Sequence, residues 1–276
     1  MRPDAKTRLC GIIGNPVEHS LSPAMHNAAF ERLGLNFVYL AFRVTDVEGA
    51  IRAVRALGLR GLSVTVPHKV AVIPFLDAID PVARSIGAVN TVVNDGGRLT
   101  GYNTDWTGFV RSLEAHVPPA GRRVALLGAG GAARAIAFGL RERGASPTIL
   151  NRAEEIAMAR DLAAEIGCPF GDLARTDVIA AADIVVNATS VGMAPLQDLV
   201  PADPAVLRPE QVVVDVVYNP LETRFLREAK ARGCRTVPGC EMLLLQGATQ
   251  FELWTGQPAP VDLMRTVLME RLAANR

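Results

Sequence analysis

Arg123-Val124-Ala125-Leu126-Leu127-Gly128-Ala129-Gly130-Gly131-Ala132-Ala133-Arg134 is the stretch from which the fold is read. Val124 to Leu127 form a short apolar run that predicts a buried strand. A glycine turn follows, and the Ala-rich Ala132 to Leu140 predicts a helix. The order is strand, tight turn, helix, in the form G-x-G-x-x-A. Gly128 allows the sharp turn, Gly130 lets a pyrophosphate approach the main chain, and Ala133 lets the helix pack close to the strand. The free N–H groups and partial positive charge of the helix start then face the phosphates. A glycine-rich turn that binds nothing is the plainer alternative. Two glycines and two alanines in a row favour close backbone approach over ordinary loop duty.

Thr148-Ile149-Leu150 supplies a second strand and closes a strand–helix–strand unit of about thirty residues. Glu154 to Ile166 predicts a helix with Met158, Leu162 and Ile166 on one face. Ile184 to Val186, Gln211 to Val216 and Thr236-Val237 predict further strands, with helices at Thr223–Arg232 and Met242–Thr255. Such alternation predicts an α/β domain with a doubly wound parallel sheet. A last helix, about Val261 to Leu272, should pack back onto the N-terminal domain.

The N-terminal part alternates as well. Strands are expected at Leu9–Ile13 and Phe37–Phe42, and helices at Pro23–Leu33 and Val47–Leu57. Ser22 followed by Pro23 reads as an N-cap before a first-position proline. Ser20 has no such local role, and two hydroxyls at a strand-to-helix edge can hold a carboxylate. In Gly61 to Lys69 a β-rich run reaches Pro67, which should open a helix. Lys69 would then sit at the positive end of a helix dipole, where a lysine loses its proton more readily. Thr65 reads locally as a capping hydroxyl. Ala88 to Asn94 predicts a strand that carries the amide of Asn90 among apolar neighbours, where it needs a partner. A hairpin turn at Asp95-Gly96-Gly97 follows. Asp105 reads as the N-cap of a helix from Trp106 to about His116. Val117-Pro118-Pro119-Ala120-Gly121 is a linker. The expected division is 1–105 as a substrate-binding and catalytic domain, joined by the helix 261–276, then a connecting helix and linker at 106–121, then a nucleotide-binding domain at 122–260.

Composition sets the outer limits. The chain has 276 residues, 49% hydrophobic and 21% charged, with a net charge of +1. That charge, without a run of Lys or Arg, argues against a nucleic-acid partner. Met1 to Lys6 lacks the apolar core of a signal peptide, and the window Val124–Leu140 holds three glycines before Ala132 and also Arg134, so no membrane partner is expected. Cys10, Cys168, Cys234 and Cys240 form no C-x-x-C or zinc spacing and read as free thiols of a cytoplasmic protein. The histidines fit no metal motif, and no metal is expected.

The short motifs, taken together, resemble the shikimate dehydrogenase family from Gly11 to about Leu268. They are Ser20-Leu21-Ser22-Pro23 with His26-Asn27, Val64-Thr65-Val66-Pro67-His68-Lys69, Gly87-Ala88-Val89-Asn90-Thr91 and Asn103-Thr104-Asp105. Beyond the linker come Gly128 to Ala132, Asn151-Arg152, Asn187-Ala188-Thr189-Ser190, Tyr218-Asn219-Pro220, and Gly239 with Met242-Leu243 and Gln246. No single one is specific, but their shared order and spacing are.

The resemblance implies an N-terminal α/β substrate domain and a C-terminal Rossmann-type domain. It implies reversible hydride transfer between shikimate and 3-dehydroshikimate with NADP, a step of aromatic amino-acid biosynthesis, with NAD as the other possible cofactor. Lys69 would handle the proton at the reacting oxygen, and Asp105 would pair with Lys69 and the substrate. Ser20 and Ser22 would bind the carboxylate, with Thr65, Asn90, Tyr218 and Gln246 on the carboxylate and ring hydroxyls. The implied dinucleotide set is Gly128, Ala129, Gly130, Gly131, Ala132, Asn151, Arg152, Thr189, Val216 and Gly239. A small-molecule substrate and a monomer or homodimer are expected. Four positions depart from the family pattern: Ser63 for Asn, Trp106 for Gly, Ala153 for Thr, and Ile156 for a basic residue. Alternatives are an NAD-dependent quinate/shikimate dehydrogenase and a non-catalytic, metabolite-sensing relative. Ser22, where relatives that favour quinate often carry Thr, leans toward shikimate.

Overall fold

The computed structural model describes residues 3–274, which form two compact units. The first comprises the chain up to Thr104 together with Leu244–Ala274, and the second comprises Asp105–Leu243. The first unit begins β1 (Arg8–Gly14), α1 (Ser22–Arg32), β2 (Phe37–Arg43), α2 (Val47–Ala56), β3 (Gly61–Val64). It continues β4 (Ala78–Ile79), α3 (Pro81–Ile86), β5 (Thr91–Asp95) and β6 (Arg98–Tyr102). The second unit runs α4 (Asp105–Glu114), β7 (Arg123–Leu127), α5 (Gly131–Glu142), β8 (Ser146–Asn151), α6 (Ile156–Ile166), β9 (Phe170–Asp172) and α7 (Thr176–Ala181). Then come β10 (Ile184–Asn187), β11 (Val212–Asp215), α8 (Arg224–Ala231) and β12 (Arg235–Val237). The unit boundary falls within α9 (Cys240–Thr255), and α10 (Val261–Ala274) completes the first unit.

The second unit is built on a six-stranded sheet of order β12-β11-β10-β7-β8-β9. Every neighbouring pair is parallel. The chain order therefore reverses direction between β7 and β10, and the crevice at the carboxyl ends of those two strands is where such sheets bind ligands. β7, β8, β10 and β11 are apolar because both faces of the sheet are covered. Leu126, Ile136, Leu140, Ile149 and Leu162 form the core on one face, and Leu127, Leu150, Val185, Val213 and Phe225 form it on the other.

The first unit carries a mixed sheet of order β2-β1-β3-β5-β6-β4. β1 pairs parallel with β2 and β3, while β5 is antiparallel to β3 and β6. Gly96 and Gly97, both at positive φ, close the β5–β6 hairpin. α10 packs against α1 and buries Met264, Leu268 and Leu272.

Several expectations shift. Phe109, Val110 and Leu113 of α4 are buried with Ile136 and Leu140, so the expected connecting helix is part of the second unit. The expected second domain does not reach residue 260, because α9 from Leu244 onward belongs to the first unit. There the Trp254 indole N–H donates to the Val92 carbonyl of β5 at 3.1 Å. The last two residues of the expected segment 261–276 lie outside the described residues. Met158 is exposed on α6, whose buried face is Ala159, Leu162 and Ala163. β4, α3, β9 and α7 have no counterpart among the expected elements. α3 had a readable start and stop, since Asp80 caps it before Pro81 and Gly87 follows at positive φ.

Among the described residues the aromatic core of the first unit holds one unusual group. His26 of α1 is fully buried and stacks on Tyr39 at 4.5 Å, and neither ring nitrogen has a hydrogen-bond partner. Burial pulls its pKa down to about 3, so the imidazole is neutral in the native state. Above pH ~6.5, both folded and unfolded chains hold it neutral. Below that value only the unfolded chain takes up the proton, so this stability is lost as pH falls toward 3. His26→Phe keeps the stacked ring and removes the titration. Relative to the wild type it should gain about 2 kcal/mol more at pH 5 than at pH 8 in urea unfolding. An equal difference at both pH values would show that His26 titrates normally in the fold.

Candidate active site

The expected substrate residues Ser20, Ser22, Thr65, Lys69, Asn90 and Gln246 lie in the first unit, while Asp105, Tyr218 and every expected dinucleotide residue lie in the second. In the first unit the parallel strands β1 and β3 end side by side, and their loops carry the candidates. Thr65 follows β3, and its N–H donates to the Ile13 carbonyl of β1 at 2.9 Å. Ser22 is buried as the first residue of α1, and Leu21 is the N-cap. The capping role expected for Ser22 is therefore not taken, and its N–H donates to Ser20 Oγ at 3.3 Å. The helix expected from Pro67 is also absent. Residues 66–72 are turns, and the first helical element is the short 3-10 turn Ile73–Phe75. A helix dipole therefore has no part in setting up Lys69. Instead its carbonyl accepts from Val89 N–H at 2.8 Å, which ties the half-buried Lys69 to the residue before Asn90.

Asn90 lies just ahead of β5, not within a strand as expected. Its amide is held from several sides. Oδ1 accepts from the Thr104 N–H at 2.7 Å and the Thr91 hydroxyl at 2.8 Å. Nδ2 donates to Thr104 Oγ1 at 2.9 Å and to Gln246 Oε1 at 3.3 Å. Gln250, one turn further along α9, donates from Nε2 to Thr91 Oγ1 at 2.9 Å and to the Asn90 carbonyl at 3.2 Å. Its Oε1 accepts from the Ser63 hydroxyl at 2.7 Å, which accepts from the Tyr39 hydroxyl at 2.6 Å. Burial pushes the Tyr39 phenol well above its usual range, so it stays protonated as a donor. A buried polar network this complete orients each amide uniquely. Thr91 and Thr104 fall inside the short motifs, whereas no local pattern marks Tyr39 or Gln250. Ser63 departs from the family's Asn, and its short hydroxyl fits between Tyr39 and Gln250.

In the second unit, Asp105 is the first residue of α4, not its cap, and is buried. Trp106 turns its ring edge-on to Phe138 of α5, with centroids 5.6 Å apart. Tyr218 follows β11, and burial pushes its phenol up to about 12, so it is a neutral donor at any physiological pH.

The glycine loop has the geometry a dinucleotide needs. Gly128 sits at φ +105, and a Cβ there would meet Thr189 Cγ2 at 3.0 Å. Gly130 precedes α5 and is exposed, and a Cβ there would meet nothing within 4 Å. This open, N–H-lined space at a helix start fits a pyrophosphate. Ala129 is buried beneath it, and Gly131 and Ala132 begin the helix. Asn151 ends β8 and spends its amide on the Glu155 carbonyl at 3.1 Å. Arg152 is largely exposed and pairs with Glu155 at 2.6 Å. Ala153–Glu155 form a 3-10 turn and α6 starts only at Ile156, whose side chain packs on the core. An apolar residue at 156 is thereby explained. Thr189 follows β10, and its N–H and hydroxyl both donate to Asn187 Oδ1, at 3.0 and 2.7 Å. Val216 N–H donates to the Asn187 carbonyl at 3.0 Å, and Gly239 packs against the Val216 backbone. Among the described residues no group of three or more His, Cys, Asp or Glu is placed to hold a metal, and no helix is long and apolar enough to cross a membrane.

Residues 12–92 match the shikimate dehydrogenase substrate binding domain, and residues 239–269 match the shikimate 5′-dehydrogenase C-terminal domain. The chain is 52% identical to a shikimate dehydrogenase (NADP(+)) of Moorella thermoacetica, over 98% of this chain and 96% of that protein. It superposes with a TM-score of 0.88 and 41% identity on Thermus thermophilus shikimate 5-dehydrogenase in complex with NADP(H) and shikimate, covering 96% of this chain and 99% of that one. A quinate dehydrogenase from Corynebacterium glutamicum in complex with NAD matches with a TM-score of 0.88 at 36% identity, over 96% and 99% of the two chains.

Proposed function

This chain belongs to the shikimate dehydrogenase family, and from that we propose that it interconverts 3-dehydroshikimate and shikimate with NADP(H). What supports this most is the 52% identity over nearly the whole of both chains. Bound NADP supplies the hydride chemistry. The residues of the chain do the rest. Shikimate loses a hydride from its carbinol carbon only if the hydroxyl proton leaves as well, so a positioned base is required, and an acid in reverse. We assign that proton to Lys69, with Asp105 as its partner. Ser20 and Ser22 would hold the carboxylate, with Thr65, Asn90, Tyr218 and Gln246 on the carboxylate and ring hydroxyls. The pyrophosphate would lie over Gly128 to Ala132, and Thr189, Val216 and Gly239 would also contact the dinucleotide. All of these groups come from one chain, so a monomer or a homodimer would serve. We place the enzyme in the cytoplasm, which suits four free cysteines.

Arg152 is the residue assigned to the NADP 2′-phosphate, with Asn151 beside it. No carboxylate stands at Asn151 to accept from a free ribose 2′-OH, and a guanidinium pairs well with a phosphate. Glu155, already bound to Arg152, competes for that guanidinium. The preference for NADP should therefore be real but moderate. Protein mixed with shikimate and NADP+ should give the absorbance of reduced nicotinamide, with a higher kcat/KM than with NAD+. Arg152→Ala should raise the KM for NADP+ roughly tenfold and leave NAD+ within about twofold, the scale of one charge-assisted pair. A higher kcat/KM with NAD+ would favour the quinate/shikimate reading. No reaction with either dinucleotide would leave the metabolite-sensing one.

A further inference from the structure

Asp215 ends β11, beside the crevice where the chain order of the parallel sheet reverses, and it has no part in the functional assignment above. It is fully buried. Oδ1 accepts from Asn187 Nδ2 at 2.9 Å and from the Val217 N–H at 3.0 Å. Oδ2 accepts from the Thr223 hydroxyl at 2.7 Å. Each donor belongs to a different segment. Asn187 ends β10, Val217 lies in the loop after β11, and Thr223 caps α8, its Oγ1 accepting from Leu226 N–H at 3.2 Å. Asn187 passes the constraint on. Its Nδ2 also donates to the Val191 carbonyl at 3.0 Å, and its Oδ1 holds Thr189 through two hydrogen bonds. Thr189 Cγ2 in turn lies against Gly128 of the glycine turn.

We propose that Asp215 is a positioning residue of the dinucleotide site, holding through Asn187 and Val217 the loops that carry Thr189 and Val216. The inference rests on the NADP-dependent reading of that site.

The groups facing Asp215 are the Asn187 amide from β10, the Thr223 hydroxyl from α8 and the Val217 N–H from its own loop. None is charged, so nothing nearby neutralises a carboxylate there. Burial therefore pushes its pKa up to about 7, against the three donors, which pull it down. The proton has one natural place. Oδ1 keeps both of its donors, and a protonated Oδ2 donates to Thr223 Oγ1 after that hydroxyl turns. Both states thus hold Asn187, but only one carries a charge. A dinucleotide brings several anionic phosphate oxygens to the same sheet edge, which favours the neutral state. Affinity should therefore fall as pH rises through about 7.

Two variants test this. Asp215→Asn reproduces the protonated arrangement, with two accepted bonds and one donated to Thr223. Asn187→Ala cuts the link to Thr189 while leaving Asp215 two donors. NADP+ and shikimate dissociation constants are measured by calorimetry at pH 6 and pH 8, with thermal unfolding as the check on folding. Asn187→Ala should weaken NADP+ at least tenfold and change shikimate less than twofold. Asp215→Asn should bind NADP+ like the wild type at pH 6 and at least threefold more tightly than it at pH 8. Wild-type affinity in Asn187→Ala, a wild-type to Asp215→Asn ratio that does not change with pH, or equal weakening of both ligands would each overturn the proposal. A wild-type protein that binds no dinucleotide would instead overturn the proposed function.

Discussion

Lys69→Ala is expected to lower kcat by roughly 10²–10⁴-fold, the usual scale for a positioned acid–base group, with a much smaller change in KM for shikimate. The proton moves only as the transition state forms, so its carrier contributes little to ground-state binding. The local structure favours this use of Lys69. Its main chain is fixed to Val89, the residue before Asn90, so the ammonium and the Asn90 amide are presented from adjoining backbone. A flexible surface lysine would have no such anchor. Steady-state kinetics at saturating NADP+ decide the matter. If the variant kept its kcat and lost only affinity, Lys69 would be a binding residue and the proton would have to be handled elsewhere.

Glycines 239 and 130 should respond to alanine in opposite ways. At Gly239 a Cβ would lie 2.5 Å from the Val216 carbonyl carbon and 2.8 Å from the Asp215 carbonyl oxygen. Both are main-chain atoms of the segment that leaves β11, so no rotamer change relieves the overlap. Gly239→Ala should cost about 2–4 kcal/mol of stability and displace Val216, weakening NADP+ more than tenfold. At Gly130 a Cβ meets nothing within 4 Å, and the backbone there suits an alanine. Gly130→Ala should therefore melt like the wild type and still lose NADP+ affinity, because the methyl group would occupy the pyrophosphate space. Thermal unfolding and NADP+ titration of both variants separate the two effects. Unaltered NADP+ binding in Gly130→Ala would place the pyrophosphate elsewhere, and a fully stable Gly239→Ala would show that the β11 exit can shift without cost.

The features readable from the chain alone are those whose physics is local. Val124–Leu127 followed by glycines and alanines can hardly be anything but a strand, a turn and a helix. Four further apolar runs spaced by amphipathic stretches then imply a parallel sheet. The short motifs were legible for the same reason, because each is a few residues whose types and order are visible without the fold. Local reading failed where neighbours in space override neighbours in sequence. Met158 fits a helical stripe by period yet faces outward, because the buried face of α6 runs through Ala159, Leu162 and Ala163, with Ile156 packed on the core. Pro67 looked like a helix start, but backbone bonds to β1 and to Val89 hold that segment as turns. How the site residues are held depends on the folded arrangement. Ser63 and Gln250 are 187 positions apart and share one hydrogen bond, and Asn187 reaches Asp215 across 28. Burial makes each of those polar atoms require a partner. Which partner it finds depends on the packing of whole strands and helices, and no local pattern carries that information.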